Sequence, residues 1–293
     1  GEGSYNAILP EVAGDAFFAA RASLWNESGG RFENARVRLV STEKGSVASA
    51  FARSDGVEGG SVLRFPYGSE EPAAERAVAS AGSLSTYELP RPLTMEPGDV
   101  LHVQLCEAGK VPMTKFYVYD GVRFDRFQRN RRNDWNYGIE FHETVETHLQ
   151  FANTKASGLG LDLPPGRFRL YQQKADGSLD LIGEDRLQAV PSESTATVLL
   201  GPARGVRGER ERTGYSEVVP LHEYEESFEI RLENDSTEEL EVRVIEHLYR
   251  WHQYEIVKAD TDYKATGPQT IEFRPVLKPG GKRSVHYTVR YRW

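Results

Sequence analysis

Residues 153–185 read NTKASGLGLDLPPGRFRLYQQKADGSLDLIGED, two extended runs that meet at Asp176-Gly177. Phe168, Leu170 and Tyr171 lead into the turn, and Leu179, Leu181 and Ile182 lead out of it. An Asp-Gly pair between apolar-rich runs is a strong short-range hairpin signal, because both central positions of a tight hairpin turn can need positive φ. The rest of the chain repeats the theme. Val37 and Leu39 alternate with Arg36 and Arg38, and Phe228, Ile230 and Leu232 alternate with Glu229 and Arg231. Val285, Tyr287, Val289 and Tyr291 share one face of the closing run. Period-two patterning of this kind is what a half-buried antiparallel strand requires. Helical periodicity is almost absent. Turn signals separate the runs at Ser28-Gly29-Gly30, Pro97-Gly98-Asp99, Asn234-Asp235-Ser236 and Pro279-Gly280-Gly281. Short strands with turns at such spacing predict an all-β fold of two antiparallel β domains, the second an immunoglobulin-like β-sandwich.

A length of 293 residues suggests about two domains. We expect an N-terminal β domain over residues 1–120, an Arg/aromatic-rich connector over 121–140, and a C-terminal sandwich over 141–293. The pattern places strands at 47–53 and 60–66 in the first domain and a loop at 68–83. In the second, the run at 195–200 is expected to end before a separate Arg-rich loop, 204–212. That loop alternates with Glu209 and Glu211 and is expected to neutralise itself.

The net charge of −8 disfavours bulk attraction to nucleic acid or anionic lipid. No nucleic-acid partner is expected. The single cysteine, Cys106, excludes an intrachain disulfide and reads as a small buried hydrophobe in a strand. No apolar run approaches the 18 residues of a membrane-spanning helix, so no transmembrane segment is expected. The opening GEGS reads as a trimmed start. A periplasmic, envelope-associated or secreted setting is expected if a signal peptide was removed.

The middle of the chain also resembles a known family. Leu159-Gly160, Leu163-Pro164, Pro165-Gly166-Arg167, Tyr171-Gln172, Asp176-Gly177 and Ile182-Gly183-Glu184-Asp185 look like the signature of a bacterial family of unknown function, one that forms the C-terminal part of mucoidy-inhibitor-like proteins. Trp25-Asn26-Glu27-Ser28-Gly29, Lys115-Phe116-Tyr117-Val118-Tyr119-Asp120, Glu246-His247-Leu248 and Tyr287-Thr288-Val289 extend the similarity. The resemblance implies a β-rich bacterial protein associated with the cell envelope or secretion. It implies no catalytic residue, because the family has no assigned activity.

Few residues suggest chemistry. The run FHETVETH at 141–148 lacks the His-Glu-x-x-His spacing of a helical zinc site. On a strand His142, Glu146 and His148 share a face, and a metal-dependent hydrolase built on them is one reading. Glu184 and Asp185 are adjacent at a strand end, so they point to opposite faces and cannot form a glycosidase pair. No nucleophile elbow, phosphate-binding loop or cysteine-based metal motif is present, and no cofactor is expected.

The positive signal lies in the connector. Arg123, Arg126, Arg129, Arg131 and Arg132 interleave with Phe124, Phe127, Trp135 and Tyr137. Guanidinium groups bind carboxylate or phosphate bidentately and stack on aromatic rings. Further on, EHLYRWHQYEI at 246–256 offers Trp251 and Tyr254, with Tyr249, as an aromatic platform or as strand-end packing. The leading expectation is a non-catalytic envelope or secreted module that binds a protein partner. The alternatives are a carbohydrate-binding or carbohydrate-cleaving protein using Trp251 and Tyr254, with an envelope polysaccharide as partner, and the metal-dependent hydrolase.

Overall fold

A computed structural model describes residues 2–11, 14–41, 85–89, 91–125 and 134–293. Among them the fold is all-β, with one single-turn 3-10 helix at Lys155–Ser157. In chain order the strands are β1 (Glu2–Leu9), β2 (Ala16–Trp25), β3 (Phe32–Ala35), β4 (Arg38–Ser41), β5 (Ser85–Glu88), β6 (Leu93–Met95), β7 (Val100–Val111), β8 (Met113–Tyr119), β9 (Thr144–Asn153) and β10 (Gly166–Gln173). They continue as β11 (Leu179–Leu187), β12 (Ser194–Val219), β13 (Glu223–Asn234), β14 (Leu240–His247), β15 (Tyr254–Ala259), β16 (Tyr263–Gly267), β17 (Thr270–Phe273), β18 (Val276–Leu277) and β19 (Lys282–Arg292). The strands expected at 47–53 and 60–66, and the loop at 68–83, lie outside the described residues.

The chain forms two compact units, and they are not consecutive in sequence. Unit 1 comprises Gly1–Thr114 and Leu149–Val198, and unit 2 comprises Lys115–His148 and Leu199–Trp293. The sequential boundaries expected from the sequence differ from this division. The reason is that each passage between units falls inside a continuous strand (β8, β9 or β12) rather than in a linker.

Unit 1 holds a five-stranded sheet in the order β11-β10-β1-β2-β7. Its pairing is mixed, because β1 runs parallel to β10, so the purely antiparallel expectation is corrected. Tyr5, Phe18, Phe151 and Phe168 are buried in its interior. Their rings follow one another at 6.1, 5.4 and 6.0 Å. The tyrosine hydroxyl donates to the Pro164 carbonyl, which gives the one polar atom of this apolar stack its partner. Gly166 permits the close approach of β1. A Cβ there would lie 2.2 Å from the carbonyl oxygen of Gly3.

Buried asparagines fasten the strand ends. Asn153, with no exposed surface, donates to the carbonyls of Leu161 (2.7 Å) and Pro191 (2.9 Å) and accepts from the Gly160 N–H (3.1 Å). This amide holds the start of the 153–185 segment. Asn26 donates in the same manner to Gly30 and Glu96 carbonyls. In unit 2, Asn234 does so to Glu238 and Lys278. Each amide satisfies several loop carbonyls from one buried point, which suits a turn that leaves the backbone ladder.

In unit 2 the strand order is β15-β19-β13-β12-β9-β8-β14-β17-β16, with β18 beside β14. Here β14 is parallel to β8 and the other pairs that reach it are antiparallel. The alternation read from the sequence appears directly in the burial. On β13, Phe228, Ile230 and Leu232 face the core; on β19, Val285, Tyr287, Val289 and Tyr291 do. The opposite faces carry charge: Arg231 meets Glu209, Glu211 and Glu229, and Arg290 pairs with Glu225. Exposed pairs of this kind contribute little stability and keep the outer face wet.

Candidate interaction site

The inner face of unit 2 contains charges where the pattern calls for apolar side chains. Along β13 the buried register runs Tyr224, Glu226, Phe228, so Glu226 occupies a core position with no exposed surface. On β12, Arg210 follows Val206 and Gly208 on the buried face. Glu246 sits near the end of β14, and Arg250 follows it. Arg210, Arg250, Glu226 and Glu246 are all buried. Ions taken from water are costly unless paired and fully hydrogen-bonded, and here they are paired. Arg210 Nε donates to both oxygens of Glu246 at 3.0 and 2.9 Å. Arg250 donates to both oxygens of Glu226 at 2.7 and 2.8 Å. Arg212 adds a third guanidinium, donating to Glu226 Oε1 at 3.1 Å.

The neighbouring tyrosines complete the cluster. Tyr287 donates its hydroxyl to Glu246 at 2.5 Å. Burial, and then the Glu246 charge, hold that hydroxyl far above its ordinary value, so it stays a donor. For Arg210 burial alone would favour loss of the proton, but Glu246 outweighs it and keeps the guanidinium charged. The Arg210 guanidinium also lies 4.0 Å from the Phe228 ring centroid, a cation–π geometry that strengthens when desolvated.

Three guanidiniums face two carboxylates, and each also donates to the backbone of one turn, while Arg210 Nη2 is buried with no hydrogen-bond partner among the described residues. Arg250 donates to the carbonyls of Asp134 (2.9 Å) and Tyr137 (3.3 Å). Arg212 donates to the carbonyl of Trp135 (2.6 Å) and Arg210 to that of Gly138 (2.8 Å). The core ion pairs therefore hold residues 134–138 by their backbone. Gly138 has φ 75°, and a Cβ there would lie 2.2 Å from the Tyr249 ring, so no other residue fits this turn without displacement.

Fixing the backbone from within projects one side chain outward. Trp135 is 56% exposed. Behind it the Arg212 guanidinium lies 4.5 Å from its ring centroid, and Tyr215 meets it edge-on at 4.6 Å. Tyr215 leads to Tyr224 (5.5 Å), and Tyr224 stacks on Trp293 (5.0 Å, 8° between planes). The result is a contiguous aromatic ridge with one indole presented to solvent.

The other expected site residues fall differently. Arg123 is exposed, while Arg126, Arg129, Arg131 and Arg132 lie outside the described residues. Tyr137 is not on the surface. It is buried in the core, and its hydroxyl donates to the Asp125 carbonyl at 2.6 Å. Trp251 and Tyr254 are half-buried and pack against the core of unit 2, and Tyr249 is buried, so these three do not form an open platform. The expectation that 204–212 is a self-neutralising loop is corrected. The segment lies within β12, and alternation sends Arg210 inward to Glu246 and Glu209 outward to Arg231.

Of the metal candidates, Glu146 and His148 meet at 3.2 Å, while His142 packs edge-on against Tyr119. Among the described residues no group of three metal-ligating side chains converges. Glu184 lies within β11 rather than at its end, and both Arg169 and Arg167 reach it. Arg210, Arg212, Glu226, Glu246 and Arg250 were not anticipated as site residues. Extending the Phe228 alternation two residues back would have placed Glu226 inside.

Comparison with family models, curated proteins and solved structures finds no match to this chain.

Proposed function

We propose that the protein is a non-catalytic interaction module that engages a protein partner through the Trp135 surface of unit 2. The observation that supports this most directly is the combination of an exposed indole with a backbone clasped by three buried or nearly buried arginines. An aromatic anchor held rigid before binding loses little conformational entropy on contact, which is the usual property of an interface hot spot. The resemblance to the mucoidy-inhibitor-like family supports an envelope-associated or secreted setting. An immunoglobulin-like sandwich for the C-terminal region belongs to the same proposal.

The test is capture from a native envelope extract by the wild-type chain and by Trp135→Ala. The module reading expects a discrete partner that the variant loses at an unchanged melting temperature. Retention of the same partner by the variant would count against it. The carbohydrate reading now centres on the same indole, since Trp251 and Tyr254 are packed against the core. A glycan array distinguishes it: a saturable signal lost in Trp135→Ala would replace the protein partner with a polysaccharide.

A further inference from the structure

We infer that the tip of the β12–β13 hairpin docks on the outer face of the β10–β11 hairpin of a second copy of this chain. The inference rests on the interaction-module reading and adds a second contact element with a defined partner.

The tip reads Val218-Val219-Pro220-Leu221, and all four residues are exposed. A run of consecutive exposed apolar residues is unusual unless it serves a contact. Its conformation is also costly. The His222 N–H donates to the Val219 carbonyl at 2.9 Å and closes a four-residue turn. Pro220 takes the second position and Leu221 the third, where φ is 62°. That position favours glycine, and a branched aliphatic side chain is strained there. The strain is held by Glu217, whose carboxylate accepts from the Leu221 N–H at 2.6 Å and from the Tyr224 hydroxyl at 2.8 Å. Leu221 is 66% exposed as a result. Strained backbone that presents a side chain to solvent is a mark of a functional position. Both donors to Glu217 are neutral, so the tip carries an unneutralised negative charge at its base.

The acceptor is the complementary surface within unit 1. Phe168 and Leu170 are buried, so alternation turns Arg167, Arg169 and Tyr171 to the other face of β10. Leu181 pairs opposite Tyr171 and Leu179 opposite Gln173. Leu181 is 54% exposed and Leu179 46%. Arg169 (2.8 Å) and Arg167 (3.9 Å) share the single carboxylate of Glu184, which leaves this face an excess of positive charge. An apolar tip with an anion thus meets an apolar face with a surplus cation.

Tip and face are different surfaces of the chain. A single contact leaves one free face and one free tip, which either close on each other in a reciprocal dimer or take further copies, and association grows with concentration. The contact is small and therefore weak.

Sedimentation velocity of the whole chain tests it. The wild type is expected to pass from monomer to dimer or larger species as concentration rises. Leu221→Asp and Leu181→Asp should each weaken association by roughly ten- to a hundredfold, the equivalent of one buried leucine. Leu221→Gly, which suits the turn, should lose association without losing thermal stability. An equimolar mixture of the two aspartate variants should form dimers and nothing larger, because one variant keeps a good tip and the other a good face. A wild type that stays monomeric at its highest soluble concentration would overturn the inference and assign the tip to a different protein. Association that survives either substitution, or a mixture that stays monomeric, would overturn it as well. If self-association is absent while Trp135→Ala still loses its captured partner, only this inference falls. If both fail, the module reading falls with it.

Discussion

Arg210 and Glu246 form an ion pair closed to solvent on both sides. Arg210 Nε lies 3.0 and 2.9 Å from the two carboxylate oxygens, and neither side chain has exposed surface. Removing one member leaves the other as an uncompensated buried charge. We expect Glu246→Leu or Arg210→Met alone to destabilise the fold by about 3–5 kcal/mol, and the double replacement to cost much less than the sum. Urea denaturation of the three variants gives the coupling. Additive losses would show that the pair does not act as a unit.

Tyr287 and Tyr291 lie four residues apart on the buried face of β19, and their hydroxyls have opposite circumstances. Tyr287 donates to Glu246, whereas the buried Tyr291 hydroxyl has no hydrogen-bond partner among the described residues. Tyr287→Phe should cost about 1.5–3 kcal/mol, the range for a hydrogen bond to a charged group. Tyr291→Phe should be neutral or stabilising by up to about 1 kcal/mol, because it removes a polar atom that is desolvated without return. Equal losses at the two positions would contradict this account.

Leu221 occupies left-handed backbone at φ 62°. Leu221→Gly should raise unfolding free energy by about 1 kcal/mol, relief of strain being partly offset by the greater freedom of glycine in the unfolded chain. A drop in stability would mean that Leu221 packs in a way its exposure does not suggest.

Glu217 predicts a dependence on acidity. The Leu221 N–H, and then the Tyr224 hydroxyl, hold its carboxyl below the ordinary value of 4.5. A carboxyl depressed by folding stabilises above its unfolded pKa, and the contribution fades as pH falls through the folded value. The wild type should therefore melt above Glu217→Gln at neutral pH, and the gap should close below pH 4.5. A gap that is constant with pH would show that the hydrogen bonds do not require the anion.

Much of unit 2 was readable because alternation is a one-dimensional property. Phe228, Ile230, Leu232 and the four inward residues of β19 follow directly from it. The extension of β12 was not readable. Gly201-Pro202 and Gly205 look like punctuation in sequence, and Gly201 and Gly205 do adopt φ of 115° and 70°. The strand nevertheless continues past them. Gly208 looks like a further break, yet it is a packing feature, since a Cβ there would lie 2.5 Å from the Tyr119 ring. In the connector, Trp135 is exposed and Tyr137 is buried. Two residues apart, both are held by backbone contacts to buried or nearly buried arginines far along the chain, which the local sequence does not reveal.

The three passages of the chain between its units have a consequence for anyone who would dissect it. Neither unit is a contiguous stretch, so no single cut, and no terminal truncation, can release one intact. A fragment ending near residue 120 would lack the strands from Leu149 onward that complete unit 1, and a fragment beginning near 141 would leave β8 behind. A loss of function on cutting within this region would report on folding before it reported on any binding site.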